Sequence, residues 1–424
     1  MRRRQFIHQS SFALLGAVAG NLFYKNVAPS DKVRLAVIGT GNMGNNHIGW
    51  FADLPEVDVV ALCDVDKNHL DESLKSLQEK KPGLKVDGYA DFRRVLERQD
   101  IDAISCATPD HWHAQVAMLA CEAGKDVYGE KPLAYSVREG QRMLYYQEKN
   151  KRIFQLGTQI HAGDNYHRVA EIIQSGVLGA IHTVRLWKTV GDRRLQATPL
   201  AVLPAGLDWD MWCGPAPLVP YVPERSHLTF RSFLDYSGGV YADFWCHIAD
   251  IVFWALQPQG LTKISAVGQP VEGYGDVPGE ISVDFIFDRL NVHWTSTPPD
   301  IPGAAGKHIG AYFEGEKGQL LCDYDTRQIT LNGETVNDLV EIPTTIPRSP
   351  GHQQNFIDAV KTRKAPESNL AYARQMTLPM HLGLISYRLS RPLTWDAASE
   401  SFVNDPVANA LLYRQPREKW RLIE

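Results

Sequence analysis

Two short segments carry side chains whose types and spacing suit proton transfer. The first is Glu130-Lys131-Pro132, and the second runs from 238 to 250 and contains Asp243, His247 and Asp250. If the second segment is helical, its three polar side chains lie at positions i, i+4 and i+7 and share one face. An imidazole accepts protons near neutral pH, and a carboxylate beside it can orient the ring.

These residue types match what the oxidation of a carbinol to a ketone requires. We assign His247 as the base for the hydroxyl proton, Asp243 as the group that orients the ring, and Lys131 as the cation that polarises the same oxygen. A structural alternative uses the same residues: Asp243 and His247 would form a satisfied buried pair, and Lys131 would pair with Glu130. Spacing alone leaves both interpretations open.

A glycine-rich turn near the start of the chain predicts the partner for this chemistry. The stretch 33–38 is apolar and rich in β-branched residues, which is typical of a buried parallel strand. In the turn that follows, the first glycine permits a tight bend and the second lets backbone N–H groups approach a pyrophosphate. The third lets helix and strand pack closely. The predicted contributors are Gly39, Gly41, Asn42, Met43 and Gly44.

The next predicted strand ends at an acidic residue. Val57 to Cys63 is followed by Asp64, which stands twenty residues beyond Gly44. A carboxylate there can accept a hydrogen bond from the adenosine ribose 2′-hydroxyl, whereas a 2′-phosphate would meet like charge. The sequence therefore predicts NAD(H) rather than NADP(H) as cofactor.

Strand and helix patterns alternate from residue 31 to 157, which predicts a doubly wound α/β domain with a parallel sheet. Ligands bind such sheets beyond the carboxyl ends of the strands, where Asp64, Thr108 and Lys131 stand. From 158 to 424 the pattern changes to many strands with few helices, so we predict an α+β domain with an open-faced, mostly antiparallel sheet and a C-terminal tail that packs back.

Residues 1–30 are predicted to be an export signal and linker outside the fold. Arg2-Arg3-Arg4-Gln5-Phe6-Ile7 precedes an apolar run that is too short to span a bilayer. An arginine pair, one spacer and then Phe-Ile resembles a bacterial twin-arginine signal, which predicts a periplasmic protein without stable membrane insertion. The net charge of −5 gives no reason to expect a nucleic-acid partner.

No metal site is predicted. The six cysteines show neither CxxC pairing nor clustered metal spacing, and His111 and His113 have no third ligand near them in sequence.

The chain resembles the glucose–fructose oxidoreductase/inositol dehydrogenase (Gfo/Idh/MocA) family. The matching segments are AVIGTGNMG (36–44), ALCDVD (61–66), ATPDHWH (107–113), GEKPL (129–133) and GGVYADFWCHIAD (238–250). The resemblance implies an active site between the two domains with Lys131, Asp243 and His247 as the catalytic set. It also implies that Thr108, Pro109 and His113, with Glu130 and Lys131, border the nicotinamide.

One position departs from the family pattern. Members commonly have glycine two residues after the helix aspartate, where this chain has Trp245. That indole either packs into the sheet or narrows the sugar site. His161 and Tyr166 are further candidates for contacting substrate hydroxyls. The resemblance also implies a homo-oligomer formed through the exposed face of the antiparallel sheet.

The main functional prediction is an NAD-dependent oxidoreductase that acts on a ring hydroxyl of a sugar, glycoside or polyol, with its cofactor tightly bound. An alternative enzyme, known among relatives of the family, is an NAD-dependent glycosidase that works by oxidation, elimination, addition and reduction. That chemistry needs a further acid and base, for which Tyr166 or His161 are the candidates. A third hypothesis is a non-catalytic nucleotide- or sugar-binding protein on the same fold.

Overall fold

The chain is described here by a computed structural model over residues 31–191, 194–199, 201–336 and 339–421. The predicted export signal at 1–30 lies outside the described residues.

The first sheet has six parallel strands in the order β3-β2-β1-β4-β5-β6. Its strands are β1 Val33–Ile38, β2 Val57–Cys63, β3 Asp87–Tyr89, β4 Ala103–Cys106, β5 Asp126–Glu130 and β6 Phe154–Gly157. The helices between them are α1 Asn42–Ala52, α2 Lys67–Lys80, α3 Phe92–Leu96, α4 Asp110–Glu122 and α5 Val137–Asn150. The strand order reverses between β1 and β4, and such a switch point opens a crevice at the carboxyl ends of the strands.

The second sheet has ten strands in the order β14-β13-β12-β11-β7-β10-β9-β8-β15-β16. Only β7 and β10 pair in parallel among its described neighbours. Its strands are β7 Ile181–Lys188, β8 Lys263–Pro270, β9 Pro278–Ile286, β10 Asn291–Thr295, β11 Ile309–Gly315, β12 Gly318–Cys322, β13 Arg327–Leu331, β14 Glu334–Val336, β15 Leu393–Asp396 and β16 Ser401–Phe402. The predicted fold class, a Rossmann sheet followed by a mostly antiparallel sheet, is confirmed.

Helices cover one face of the second sheet, where α8 and α11 pack on β7, β8 and β9. The helices of this half are α6 Asp164–Gln174, α7 Trp209–Cys213, α8 Gly239–Ile248, α9 Asp250–Leu256, α10 His352–Thr362, α11 Leu370–Leu389 and α12 Pro406–Ala410. The alternating burial along β9 leaves the opposite face open. Across the described residues, every helix is too short or too polar to span the apolar core of a bilayer.

The segment 238–250 forms two helices where one was expected. α8 ends at Ile248, Ala249 joins the two, and α9 begins at Asp250. The carboxylate of Asp250 is fully buried, with Oδ2 accepting from the Thr158 hydroxyl at 3.0 Å. Asp250 also pairs with His161, whereas Asp243 pairs with Lys131, so the carboxylate of Asp250 has partners separate from those of the predicted catalytic pair.

Candidate active site

The glycine turn brings the start of α1 close to β1. Gly39 has φ +86°, and a Cβ there would lie 2.7 Å from the Ala107 carbonyl oxygen. A Cβ on Gly44 would lie 1.9 Å from the Gly39 oxygen, so Gly44 packs the helix against the turn and does not face a ligand. A Cβ on Gly41 would meet nothing within 4 Å, which leaves its backbone open to a bound group.

A cavity of about 510 Å³, the glycine-turn cavity, lies at the carboxyl edge of the first sheet. The predicted cofactor positions among its lining residues are Gly39, Gly41, Asn42, Met43, Asp64, Thr108, Pro109, Glu130 and Lys131. It extends from the glycine turn to the ends of β4 and β5, which is the place where a doubly wound sheet binds a dinucleotide.

The carboxylate of Asp64 is held in place by backbone donors at the end of β2. Its Oδ2 accepts from the Thr40 amide at 2.7 Å, and its Oδ1 accepts from the Asp66 amide at 2.8 Å. The side chain is half-buried and borders the glycine-turn cavity. A ribose hydroxyl can therefore find a preoriented acceptor here.

His113 does not line the glycine-turn cavity, in contrast to its expected place beside the nicotinamide. Its Nδ1 lies 2.6 Å from the Pro132 carbonyl oxygen and its Nε2 lies 2.9 Å from the Thr108 carbonyl oxygen. The ring is buried between these two carbonyls, so it braces the residues that follow β4 and β5 and is itself shielded from ligand.

Lys131 and Asp243 form the ion pair at the other end of the cavity. Lys131 Nζ donates to Asp243 Oδ1 at 2.6 Å and to the Asp243 carbonyl oxygen at 3.2 Å. The Lys131 ammonium is not paired with Glu130, whose Oε1 instead lies 3.0 Å from His47 Nε2. The alternative pairing of Lys131 with Glu130 alone is therefore not the arrangement found.

Burial and charge act in opposite directions on this pair. Burial alone would raise the pKa of Asp243, but the cations of Lys131 and Arg231 lower it to about 2. Burial alone would lower the pKa of Lys131, but the carboxylates of Asp243 and Glu130 outweigh it and raise that pKa above its ordinary value. Both side chains are consequently charged at neutral pH.

His247 lies one turn after Asp243 on α8 and keeps a free ring. Its Nδ1 is buried without a hydrogen-bond partner, and the ring packs 5.2 Å from Phe244 and 6.1 Å from Tyr324. Burial and the charge of Lys131 lower its pKa to about 4 despite the carboxylate of Asp243. The expected hydrogen bond from Asp243 to this Nδ1 is not formed, and Asp243 Oδ1 accepts from Lys131 instead.

Arg231 also belongs to this site, although the sequence pattern did not indicate it. Its Nε lies 3.0 Å from Asp243 Oδ1, and its guanidinium lies 4.5 Å from the ring of Phe230. It belongs to a short 3-10 helix, Phe230–Ser232, in a stretch without strand or helix periodicity. The one local signal was an arginine flanked by aromatic residues just before the Gly238-Gly239 pair.

The three residues proposed to contact substrate, His161, Tyr166 and Trp245, are buried. Trp245 is 1% exposed and donates from Nε1 to the Met376 carbonyl oxygen at 2.8 Å, so the indole packs into the second domain's core. Tyr166 is also buried. His161 Nε2 lies 2.9 Å from Asp250 Oδ1, and this histidine lines a separate cavity. None of the three lines the glycine-turn cavity.

Three metal-ligand side chains converge at the rim of the glycine-turn cavity. Within the described part of the chain, Asp66, His69 and His227 place one ligand atom each within 4.8 Å of one another. His227 Nε2 lies 3.1 Å from Asp66 Oδ2, and Asp66 Oδ1 caps α2. Since 161 residues separate Asp66 from His227, sequence spacing could not reveal this group.

Two family models together match most of the chain. A model described as "oxidoreductase family, NAD-binding Rossmann fold" matches residues 33–158. A second, described as "oxidoreductase family, C-terminal alpha/beta domain", matches residues 163–422. Both models carry the GFO/IDH/MocA designation.

A curated relative is similar over part of the chain. A protein of Shewanella pealeana named glycosyl hydrolase family 109 protein is 30% identical over 158 residues, which cover 37% of this chain. The match covers 35% of that relative, so the similarity spans little more than a third of its length.

Solved structures share the fold at low sequence identity. The WlbA dehydrogenase from Bordetella pertussis, in complex with NADH and UDP-GlcNAcA, has a TM-score of 0.64 and 16% identity. The match covers 86% of this chain and 99% of that one. The aldose-aldose oxidoreductase from Caulobacter crescentus, complexed with glycerol, has a TM-score of 0.62 and 18% identity, and the match covers 86% and 99% of the two chains.

Proposed function

The chain belongs to the Gfo/Idh/MocA oxidoreductase family, and on that premise we propose that it oxidises a ring hydroxyl of a sugar, glycoside or related polyol with NAD as the acceptor. One observation carries the proposal. The Lys131 ammonium borders the glycine-turn cavity and is held at 2.6 Å by Asp243, one helical turn from the imidazole of His247.

The residues along the cavity fit a dinucleotide. The open backbone at Gly41 and the N-terminus of α1 suit a pyrophosphate, and the Asp64 carboxylate suits a ribose hydroxyl. When bound, NAD supplies a nicotinamide ring that accepts a hydride from the carbinol carbon. The family description of residues 33–158 as NAD-binding agrees with this fit.

Residues of the chain stabilise the charge and accept the proton in this reaction. Lys131, charged at neutral pH, donates a hydrogen bond to the reacting oxygen and stabilises negative charge that develops on it. His247, neutral at the same pH because its pKa is lowered, accepts the hydroxyl proton. Asp243 acts through Lys131, whose position it fixes, and keeps the two cations Lys131 and Arg231 together.

A carbohydrate substrate is favoured by the relatives. The 30% identical protein carries the name of a glycosyl hydrolase family, and the Caulobacter structure is that of an aldose-aldose oxidoreductase. The test is mass spectrometry of the products formed from a panel of free sugars and glycosides with NAD⁺. The proposal predicts a product lighter by two hydrogens with its glycosidic bond intact. Release of unoxidised sugar without net NADH would contradict it.

The name of the Shewanella relative also favours a second candidate, the redox-neutral NAD-dependent glycosidase. Of its proposed additional acid and base, His161 is buried and paired with Asp250, and Tyr166 is buried against the ring of Tyr324. The phenol of Tyr324, beside the ring of His247, is better placed for that role. A Tyr324→Phe variant that lost glycoside cleavage but kept NAD binding would support the glycosidase.

We also propose that the enzyme is exported with its cofactor tightly bound, and that it assembles as a homo-oligomer through the open face of the second sheet. The export proposal depends on the arginine pair Arg3-Arg4. A green fluorescent protein fused behind residues 1–30 should reach the periplasm, and replacement of both arginines by lysine should retain it in the cytoplasm.

Rapid, complete loss of NAD on gel filtration would contradict tight binding of the cofactor. Light scattering of the purified protein measures the oligomeric state.

A further inference from the structure

The guanidinium of Arg231 stands between two cavities. Arg231 borders the glycine-turn cavity and also a second cavity of about 700 Å³, the side cavity. The side cavity is lined by Val190, Arg194, Arg231, Val240, Val277 and Glu280, among others, and reaches the start of α8. Arg231 is thus the side chain through which this second space meets the Lys131–Asp243 pair.

Most hydrogen-bond donors of Arg231 have no acceptor from the protein. Its Nε lies 3.0 Å from Asp243 Oδ1, yet that N–H is not aligned for a hydrogen bond and is otherwise buried. No described residue accepts from its terminal nitrogens, and the side chain is 28% exposed toward the cavities. The terminal N–H groups of Arg231 therefore face the cavities and are available to donate to a ligand.

Three carboxylates around Arg231 have other partners. Asp243 Oδ1 accepts from Lys131 at 2.6 Å, and Asp110 Oδ2 accepts from the Ser237 hydroxyl at 2.5 Å. In the side cavity, Glu272 pairs with Arg194 at 2.9 Å. A bound carboxylate can therefore supply acceptors for the planar fork of Arg231, which these three side chains do not fill.

We propose that Arg231 binds a carboxylate of the substrate, so that the sugar oxidised beside Lys131 is an acidic one, such as a hexuronic acid or its glycoside. The side cavity holds the end of the sugar that carries this carboxylate, and the ring hydroxyl lies toward Lys131. A guanidinium matches a carboxylate with two parallel hydrogen bonds, which an ammonium or a neutral hydroxyl cannot reproduce. This inference rests on the proposed function, since it names the substrate class of the same site.

The test compares two glycosides that differ at one group. Methyl β-D-glucuronide carries a carboxylate where methyl β-D-glucoside carries a hydroxymethyl, and galacto-configured partners form a second pair. Binding is measured by calorimetry in the presence of NAD⁺, and turnover by NADH formation. We expect the acidic member to have at least about tenfold higher affinity and kcat/KM, because a bidentate charged pair replaces a weak polar contact.

Variants separate an anchoring role from a merely structural one. In Arg231→Gln the preference for the acidic member should fall to about one, mainly through KM, and Arg231→Lys should keep part of it. A structural role would instead lower both sugars equally. The matched control is Arg194→Gln, in the same cavity, where the ratio should stay within about twofold.

The outcomes distinguish failure of the carboxylate subsite from failure of the proposed oxidoreductase function. Equal binding of both members, binding of neither, or a preference that survives Arg231→Gln or disappears in Arg194→Gln overturns the assignment of a carboxylate subsite. If other sugars are still oxidised, the proposed oxidoreductase function stands without it. An Arg231-dependent preference in calorimetry with no NADH formed would keep the subsite and overturn the proposed function.

Discussion

The two ends of the glycine-turn cavity are built from different lengths of chain. At one end, the turn and Asp64 belong to a single β–α–β run, and backbone hydrogen bonds fix their geometry. At the other end, Lys131 and Asp243 lie 112 residues apart on the two halves of the molecule. The first end therefore depends on backbone conformation, while the second depends on how the halves pack and on buried charge.

The largest effect is expected at the second end. Replacing Lys131 by Met removes the cation but keeps the length of the side chain, so turnover should fall by about 10³-fold or more. NAD affinity, measured by fluorescence titration, should change little, because the pyrophosphate and ribose contacts lie at the other end.

An exposed lysine provides the control for this variant. Lys67 pairs with Asp71 on the surface of α2, and Lys67→Met should leave turnover unchanged. Turnover by Lys131→Met within a few-fold of the wild type would show that the Lys131–Asp243 pair is not at the reacting centre.

Alanine substitutions at Gly44 and Gly41 test the glycine-turn end of the cavity. A Cβ at Gly44 would lie 1.9 Å from the Gly39 oxygen, so Gly44→Ala should lower the free energy of unfolding by about 1–3 kcal/mol. Gly41 has φ −67° and open space, so Gly41→Ala should keep its stability but lower NAD affinity about tenfold. Urea unfolding and NAD titration measure the two effects, and equal loss of stability in both would contradict the separation.

The pH dependence of turnover tests the environment of His247. Its pKa is lowered to about 4 by burial and by Lys131, so the neutral base persists well below the ordinary histidine range. We expect kcat/KM to remain level from neutral pH down to about pH 5 and to fall as the pH drops through about 4. An acidic limb near 6.5, the ordinary value, would contradict the burial of this ring.

A smaller effect on stability alone is expected at Asp250. Asp250→Asn leaves the imidazole of His161 without its carboxylate and should lower the free energy of unfolding by about 1–3 kcal/mol, with NAD affinity unchanged. Burial lowers the pKa of His161, but Asp250 outweighs it and the net pKa is raised.

The pH dependence of the stabilisation by the His161–Asp250 pair follows from the raised pKa of His161. The stabilisation is fully present below the unfolded-state pKa of about 6.5 and is lost as the pH rises through the folded-state pKa. The stability difference between wild type and variant, measured by urea unfolding, should therefore shrink with increasing pH. A difference that grows with pH would contradict a protonated His161.

The sequence predicted the fold class and the lining of the first end because both depend on local pattern. Buried strands, a glycine turn and an acidic strand end have fixed spacings, and the same segments line the cavity. It also placed Asp243 and His247 on one helix. The pattern could not reveal the partners of Asp250, because Thr158 and His161 come from a distant segment of the chain.

Contacts between distant segments account for the remaining differences. Arg231 reaches Asp243 from a loop without periodicity, and Trp245 turns into the core because its Nε1 finds the Met376 carbonyl. His113 is fixed between two backbone carbonyls that no side-chain pattern records. In each case the partner is set by tertiary packing, which the spacing of residue types along the chain does not encode.

The most direct test of the central claim follows the hydrogen on the reacting carbon. A glycoside deuterated at its ring carbinol carbons is incubated with NAD⁺, and both products are analysed by mass spectrometry for the wild type and Lys131→Met. We expect one deuterium to be transferred to the nicotinamide per ketone formed, with the glycosidic bond intact, and no transfer by the variant. Deuterium that stays in the released sugar while the glycosidic bond is cleaved would contradict it.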